Sequence, residues 1–133
     1  MTKPVLQLRV ALTAKDYDTL VAFYHEGLGL ESGPMWTTED ERAQIYDMGN
    51  ATLEIFDEAA AAMVDNIEVG RRVSGQVRFA IQVPDVDAAL ERLLAKGAKL
   101  VHKPMVTPWK DRNARVESPD GLQITLFQEL ERD

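Results

Sequence analysis

Apolar and polar residues alternate along 5–14 (VLQLRVALTA) and again along 75–83 (GQVRFAIQV). Alternation with a period of two is typical of a β-strand with one buried face. After each strand the period changes. Apolar residues recur at helical spacing in 16–28 and in 85–97, and each of these segments begins with an aspartate, which is a good N-cap. The pattern therefore predicts the same strand and helix order twice.

Three further strands are predicted after each helix. They cover 34–40, 41–49 and 51–58 in the first half, and 99–106, 112–118 and 122–130 in the second half. Turns with glycine, at 49–50 and at 118–121, separate the last two strands of each half. Both halves therefore have the order βαβββ.

The repeated order predicts an α+β fold of two equivalent modules that pack by pseudo-symmetry. A chain of 133 residues fits one compact domain of ordinary size. We expect a single domain over 1–133, with module one at 5–57, a connector at 58–74 and module two at 75–130. The connector should form a short helix followed by a loop.

Composition limits the kinds of partner. Twenty-two acidic and fifteen basic residues give a formal net charge of −7. This charge argues against nucleic acid or an anionic membrane, because both require a basic surface. The chain has no cysteine, and its start lacks the apolar block of a signal peptide. We therefore expect a cytoplasmic protein.

Strand alternation also predicts which side chains share a polar surface. The apolar sides of the strands should pack against helices, so the opposite sides should face a common groove if the sheet curls. Six candidate ligand-binding residues lie on these opposite sides: Arg9, Glu54, Phe56, Arg78, Thr125 and Phe127.

Aromatic residues could form the walls of such a groove. Trp36 and Trp109 lie about one repeat apart, each after a proline and before polar residues. Ordinary core packing is the alternative for each of them. Tyr46 is expected on the same strand face as Arg42 and Gln44, where it could add a third ring. Aromatic walls around a few polar groups suit a planar organic ligand.

Four stretches resemble the vicinal oxygen chelate superfamily, which includes glyoxalase, bleomycin-resistance protein and extradiol dioxygenase. They are 9–30, 53–57, 77–98 and 118–127. The resemblance implies a curled mixed sheet around a groove, and a homodimer in which both chains close the grooves. It does not imply one reaction, because this scaffold carries several chemistries.

The resemblance also implies where metal-using relatives hold their ion. They place histidines at the positions of Arg9 and Arg78, and acidic ligands at those of Glu54 and Thr125. Only Glu54 could ligate a metal here, because guanidinium groups only donate hydrogen bonds and would repel a cation. We therefore expect no metal and no cofactor. Arg9 and Arg78, with Glu54 as partner, would clamp an anionic ligand or, alternatively, form a self-satisfied buried ion pair.

These observations predict a metal-independent protein that binds and sequesters a planar organic ligand, either an antibiotic or a metabolite. The alternative is a lyase, isomerase or dioxygenase of the same superfamily. It would need a metal site built from Glu54, His102 or a partner chain, or acid–base catalysis by Glu54. A dimer with a vestigial pocket is the third possibility.

Overall fold

The computed structural model describes residues 5–28, 31–33, 35–119 and 121–131. Its elements follow the predicted order, with one helix between the two halves. They are β1 (Gln7–Thr13), α1 (Tyr17–Leu28), β2 (Met35–Thr37), β3 (Arg42–Asp47), β4 (Ala51–Phe56), α2 (Glu58–Glu68), β5 (Val77–Gln82), α3 (Val86–Ala95), β6 (Lys99–Val106), β7 (Asp111–Glu117) and β8 (Gln123–Glu129).

One mixed eight-stranded sheet has the order β2-β3-β4-β1-β5-β8-β7-β6. Its centre is the antiparallel pair β1 and β5, which joins the two modules. Within each module the first and last strands are parallel, β1 with β4 and β5 with β8. The α+β fold class with two βαβββ modules is thus confirmed.

Side chains that bond to the backbone determine where several elements begin and end. Asp57 and Asp85 cap α2 and α3 by accepting from Ala60 N and Ala88 N. Strand β2 is shorter than predicted because the Thr38 hydroxyl accepts from the amides of the following residues and turns the chain there. Within the described residues, none of the three helices combines the length and apolar character that a membrane span requires.

Helices α1 and α3 cover one face of the sheet, which we call the outer face. The α1 side has a core of Ala14, Tyr17, Tyr46 and Ile55. The α3 side has a larger core of Val83, Val86, Ala89, Leu90, Ala114, Val116 and Leu126. Between the two helices the apolar side of β1 is only partly covered, since Leu6 is 42% and Leu8 37% exposed. The expectation that this side is fully buried against helices is therefore wrong at the start of β1.

Helix α2 packs on the opposite face, which we call the groove face. Its Ala60, Ala61 and Val64 contact Ala11 and Phe56 of the sheet. The polar side of the strands was expected to be free of helix packing, and this is wrong for the part of the groove face that α2 contacts. Small alanines in the helix and the sheet permit the close approach.

Candidate functional site

A cavity of about 480 Å³ lies on the groove face. Eight of the nine side chains that the sequence singled out line it: Arg9, Trp36, Glu54, Phe56, Arg78, Trp109, Thr125 and Phe127. The pairing register of the central strands explains why these side chains reach the same cavity. Ala11 of β1 lies between Glu54 of β4 and Arg78 of β5, and Thr125 follows on β8 beside Ala80. Alternate residues of neighbouring strands thus present their side chains to one space.

Tyr46 does not join this cavity. Its side chain is fully buried on the outer face, in the core with Tyr17 and Ile55. Burial raises the pKa of its phenol. Arg42 and Gln44 share its face, but their polarity does not mark the groove, because the Gln44 amide donates to the Gly33 carbonyl oxygen of the neighbouring loop. The expected third ring of the pocket is therefore wrong.

Arg9 is already engaged at one end of the cavity. Its Nε donates to the Gln7 side-chain oxygen at 2.8 Å. Its guanidinium stacks 4.3 Å from the centre of the Phe127 ring. A carboxylate oxygen of Glu129 lies 3.6 Å from Nη2. Arg9 thus has a carboxylate, an amide and an aromatic partner within the chain.

Arg78 differs from Arg9 in its partners. It is 8% exposed, and its Nη1 donates to the Thr125 hydroxyl at 3.0 Å. The Phe56 ring lies 5.6 Å from its guanidinium carbon. Among the described residues no carboxylate lies within 4.0 Å of it. The alternative of a self-satisfied ion pair with Glu54 is therefore wrong.

Glu54 is also buried without an oppositely charged neighbour. It is 7% exposed, and its Oε2 accepts from the Thr52 hydroxyl at 3.0 Å. In the part of the chain that the structure describes, no cationic group pairs with it within 4.0 Å. Glu54 and Arg78 therefore both line the cavity, and neither has an oppositely charged side chain within 4.0 Å among the described residues.

A buried network beside the cavity was missed by the sequence analysis. Arg115 of β7 has no exposed surface and donates to five side chains. Its acceptors are Asp65, Glu68, Ser74, Gln123 and Thr125. The Thr125 hydroxyl in turn donates to Glu68 at 2.7 Å. The network thereby ties α2 to the second module and holds the hydroxyl that accepts from Arg78.

Asp65 at the centre of this network has a strongly lowered pKa. Burial alone would raise the pKa, but this is outweighed by hydrogen bonds from Ser74 and the Val73 amide and by the charge of Arg115, so that the carboxyl has a pKa of about 2. Arg72 also donates to it at 3.0 Å. Asp65 is therefore a structural anion, although its segment had been interpreted only as a connector.

Alternation in β7 could have revealed part of what was missed. Asn113 and Arg115 lie on the groove face, opposite Ala114 and Val116 on the outer face. Asn113 lines the cavity, and so does Glu68. No sequence pattern predicted that Glu68 lies at the cavity, because the contact between α2 and the sheet forms only when the chain folds.

The side chains present do not fit the metal site of the metal-using relatives. Arg9 and Arg78 cannot ligate a cation, and the Thr125 hydroxyl is engaged by Arg78, Arg115 and Glu68. Within the described part of the chain no three metal-ligating side chains cluster. His102 lies on the edge strand β6, with four strands between it and the strand of Glu54. The alternative ligand set of Glu54 and His102 is thus wrong for a single chain.

A second cavity of about 620 Å³ lies between the start of α1 and α2. It is larger than the groove cavity, but its arginines are already paired. Arg42 bonds to Asp18 at 2.9 Å, and Arg72 bonds to Glu58 and Asp65. It offers no unpaired buried charge to a ligand, so the groove cavity is the candidate site.

Comparison with known proteins agrees with this fold. A methylmalonyl-CoA epimerase from Mycobacterium tuberculosis is similar, with 18% identity, a TM-score of 0.62, and coverage of 98% of this chain and 94% of that chain. The Streptomyces coelicolor methylmalonyl-CoA epimerase in complex with 2-nitronate-propionyl-CoA shares 20% identity at a TM-score of 0.61, covering 97% of this chain and 99% of that chain. These identities support the fold alone.

A superfamily member from Vibrio splendidus is similar with 16% identity and a TM-score of 0.65, covering 93% of this chain and 99% of that chain. The comparison with curated proteins gives no match. The family model matches residues 7–126, nearly the whole sheet with its helices. The chain therefore belongs to the Glyoxalase/Bleomycin resistance protein/Dioxygenase superfamily.

Proposed function

We propose that the groove cavity binds a planar small organic ligand without a metal ion, and that the protein acts by sequestering this ligand, an antibiotic or a metabolite. The observation that carries the proposal is the buried Arg78, which faces a cavity with aromatic walls and has no carboxylate within 4.0 Å among the described residues. A guanidinium in such a place retains donors for a ligand.

The aromatic side chains support a planar ligand. Trp36 and Trp109 line the cavity together with Phe56 and Phe127. Trp36 is 39% exposed, which leaves its ring available for stacking. An aromatic contact of this kind typically contributes about 0.5–1.5 kcal/mol beyond the burial of its area.

The test is a titration followed by tryptophan fluorescence, since both tryptophans of the chain line the cavity. We expect planar aromatic carboxylates to quench the emission. Trp36→Ala or Trp109→Ala should weaken binding by about 1–3 kcal/mol with an unchanged unfolding midpoint. Added chelator should leave binding unchanged. Stoichiometric metal that is lost with Glu54→Gln would overturn the proposal.

An enzyme that moves a proton is the second candidate. The observation that favours it is Glu54, a buried carboxylate whose one side-chain donor among the described residues is Thr52, with Arg78 on the far side of Ala11. A carboxylate of this kind could serve as a base while the arginine stabilises an enolate. Exchange of a ligand proton for deuterium in D₂O, lost in Glu54→Gln, would place this function first.

We also propose a homodimer that uses the exposed apolar part of β1. Leu8 is 37% exposed beside Ile81 of β5, and apolar patches of this kind often mark an interface. Light scattering should give a dimer mass that Leu8→Glu reduces to that of a monomer. Leu94→Glu on α3, at the same 37% exposure, is the control. A monomer mass at every concentration would contradict the proposal.

A further inference from the structure

Two buried arginines of the groove face differ in whether a carboxylate accepts their hydrogen bonds. Arg115 has two carboxylates, Asp65 and Glu68, among its five acceptors. Arg78, two strands away, has the Thr125 hydroxyl as its acceptor and no carboxylate within 4.0 Å among the described residues. Burying a charge without a partner is costly. The missing anion of Arg78 is therefore expected from a ligand.

Glu54 is a buried negative charge that also lacks an oppositely charged partner among the described residues, so its partner is expected from a ligand as well. Its carboxylate is buried in the same cavity and accepts from the uncharged Thr52 hydroxyl. Glu54 and Arg78 both pair in register with Ala11, one from each side. Two strand spacings separate their backbones by about 9–10 Å. Ala11 itself packs against α2, whereas Glu54 and Arg78 both line the cavity.

We propose that the ligand is a zwitterion with neighbouring charges, of the α-amino acid type, and with an aromatic body. Its carboxylate binds Arg78, its ammonium binds Glu54, and its ring packs on the aromatic walls. This inference rests on the proposed function, because it identifies the ligand class of the same cavity. A simple anion would satisfy Arg78 but would be repelled by Glu54. A simple cation would satisfy Glu54 but would be repelled by Arg78.

Three matched probes test this assignment by calorimetry and by tryptophan fluorescence. L-phenylalanine carries both charges, 3-phenylpropanoate lacks the ammonium, and 2-phenylethylammonium lacks the carboxylate. The intact protein should bind L-phenylalanine roughly 10–100-fold more tightly than either analogue, because each analogue leaves one buried charge unpaired.

Two variants assign the charges to their residues. Glu54→Gln should remove the preference for L-phenylalanine over 3-phenylpropanoate, and Arg78→Gln should remove its preference over 2-phenylethylammonium. Arg112→Gln on the outer face, where Arg112 bonds to Asp87 at 3.0 Å, should change neither preference. If Arg78→Gln does not fold, Arg78→Lys keeps the charge and should keep the preference for the carboxylate, at reduced affinity.

Three results would overturn the assignment. In the first, 3-phenylpropanoate binds at least as tightly as L-phenylalanine. In the second, Glu54→Gln and Arg78→Gln each lower the affinity for all three probes equally. In the third, none of the probes binds. The proposed function is judged separately by the titration with planar carboxylates. If those compounds quench both tryptophans while L-phenylalanine has no advantage, the zwitterion inference fails and the proposed function stands. If neither the planar carboxylates nor L-phenylalanine quench the emission, both fail.

Discussion

Arg115→Ala is expected to lower the free energy of unfolding by about 3–5 kcal/mol. The substitution leaves the carboxylates of Asp65 and Glu68, which are 1% and 4% exposed, without their buried cation. It also removes one hydrogen bond to the Thr125 hydroxyl and leaves the one from Arg78. Urea unfolding at neutral pH measures the loss.

Arg112→Ala is the matched control for this experiment. Arg112 lies on the same strand and pairs with Asp87 at 3.0 Å, but the pair is exposed at 34% and 61%. An exposed ion pair contributes about 0–1 kcal/mol. Equal losses for the two variants would contradict the stabilising role of the buried network. If Arg115→Ala does not fold, Arg115→Lys, which keeps the charge with fewer donors, should show a smaller loss than the alanine variant.

Asp65→Asn is expected to destabilise the protein by about 2 kcal/mol at neutral pH, because the folded-state pKa of about 2 lies below the ordinary value of 3.8. The lowered pKa also gives the sign of the pH dependence. The contribution of the ionised carboxylate is fully present above about pH 4 and is lost as the pH falls toward about 2. The variant should therefore show a shallower loss of stability over this range.

Asp85→Asn is the control for the loss of stability at neutral pH. Asp85 caps α3 at the surface, and asparagine is an equally good N-cap, so this variant should keep the neutral-pH stability of the original protein. Stability is measured by urea unfolding at a series of pH values. An Asp65→Asn protein with the same slope as the original would show that another group governs the acid loss.

The positions of Arg9, Arg78, Glu54 and Thr125 on one face could be predicted from the sequence. Each lies in a strand whose apolar side is clear, and alternate side chains of paired strands share a face whatever the details of packing. Tyr46 was misplaced because its face had been assigned from polar neighbours. Those neighbours are satisfied locally, so their polarity carried no information about the groove.

The interactions of the charged groups could not be predicted in the same way. A clamp or an ion pair of Arg9, Arg78 and Glu54 was consistent with the sequence. The structure instead gives Arg9 its own partners and leaves Arg78 and Glu54 apart, on either side of Ala11. Side-chain pairing depends on distances of a few ångströms, which strand alternation does not determine.

The sequence by itself determined the repeated βαβββ order and the side of each central strand that faces the groove. These follow from local periodicity and residue chemistry. Only the tertiary structure decided that α2 packs on the groove face and that Asp65 and Glu68 bond to Arg115. Those contacts join residues about 50 positions apart, and their energy arises from burial, which exists only once the chain has folded.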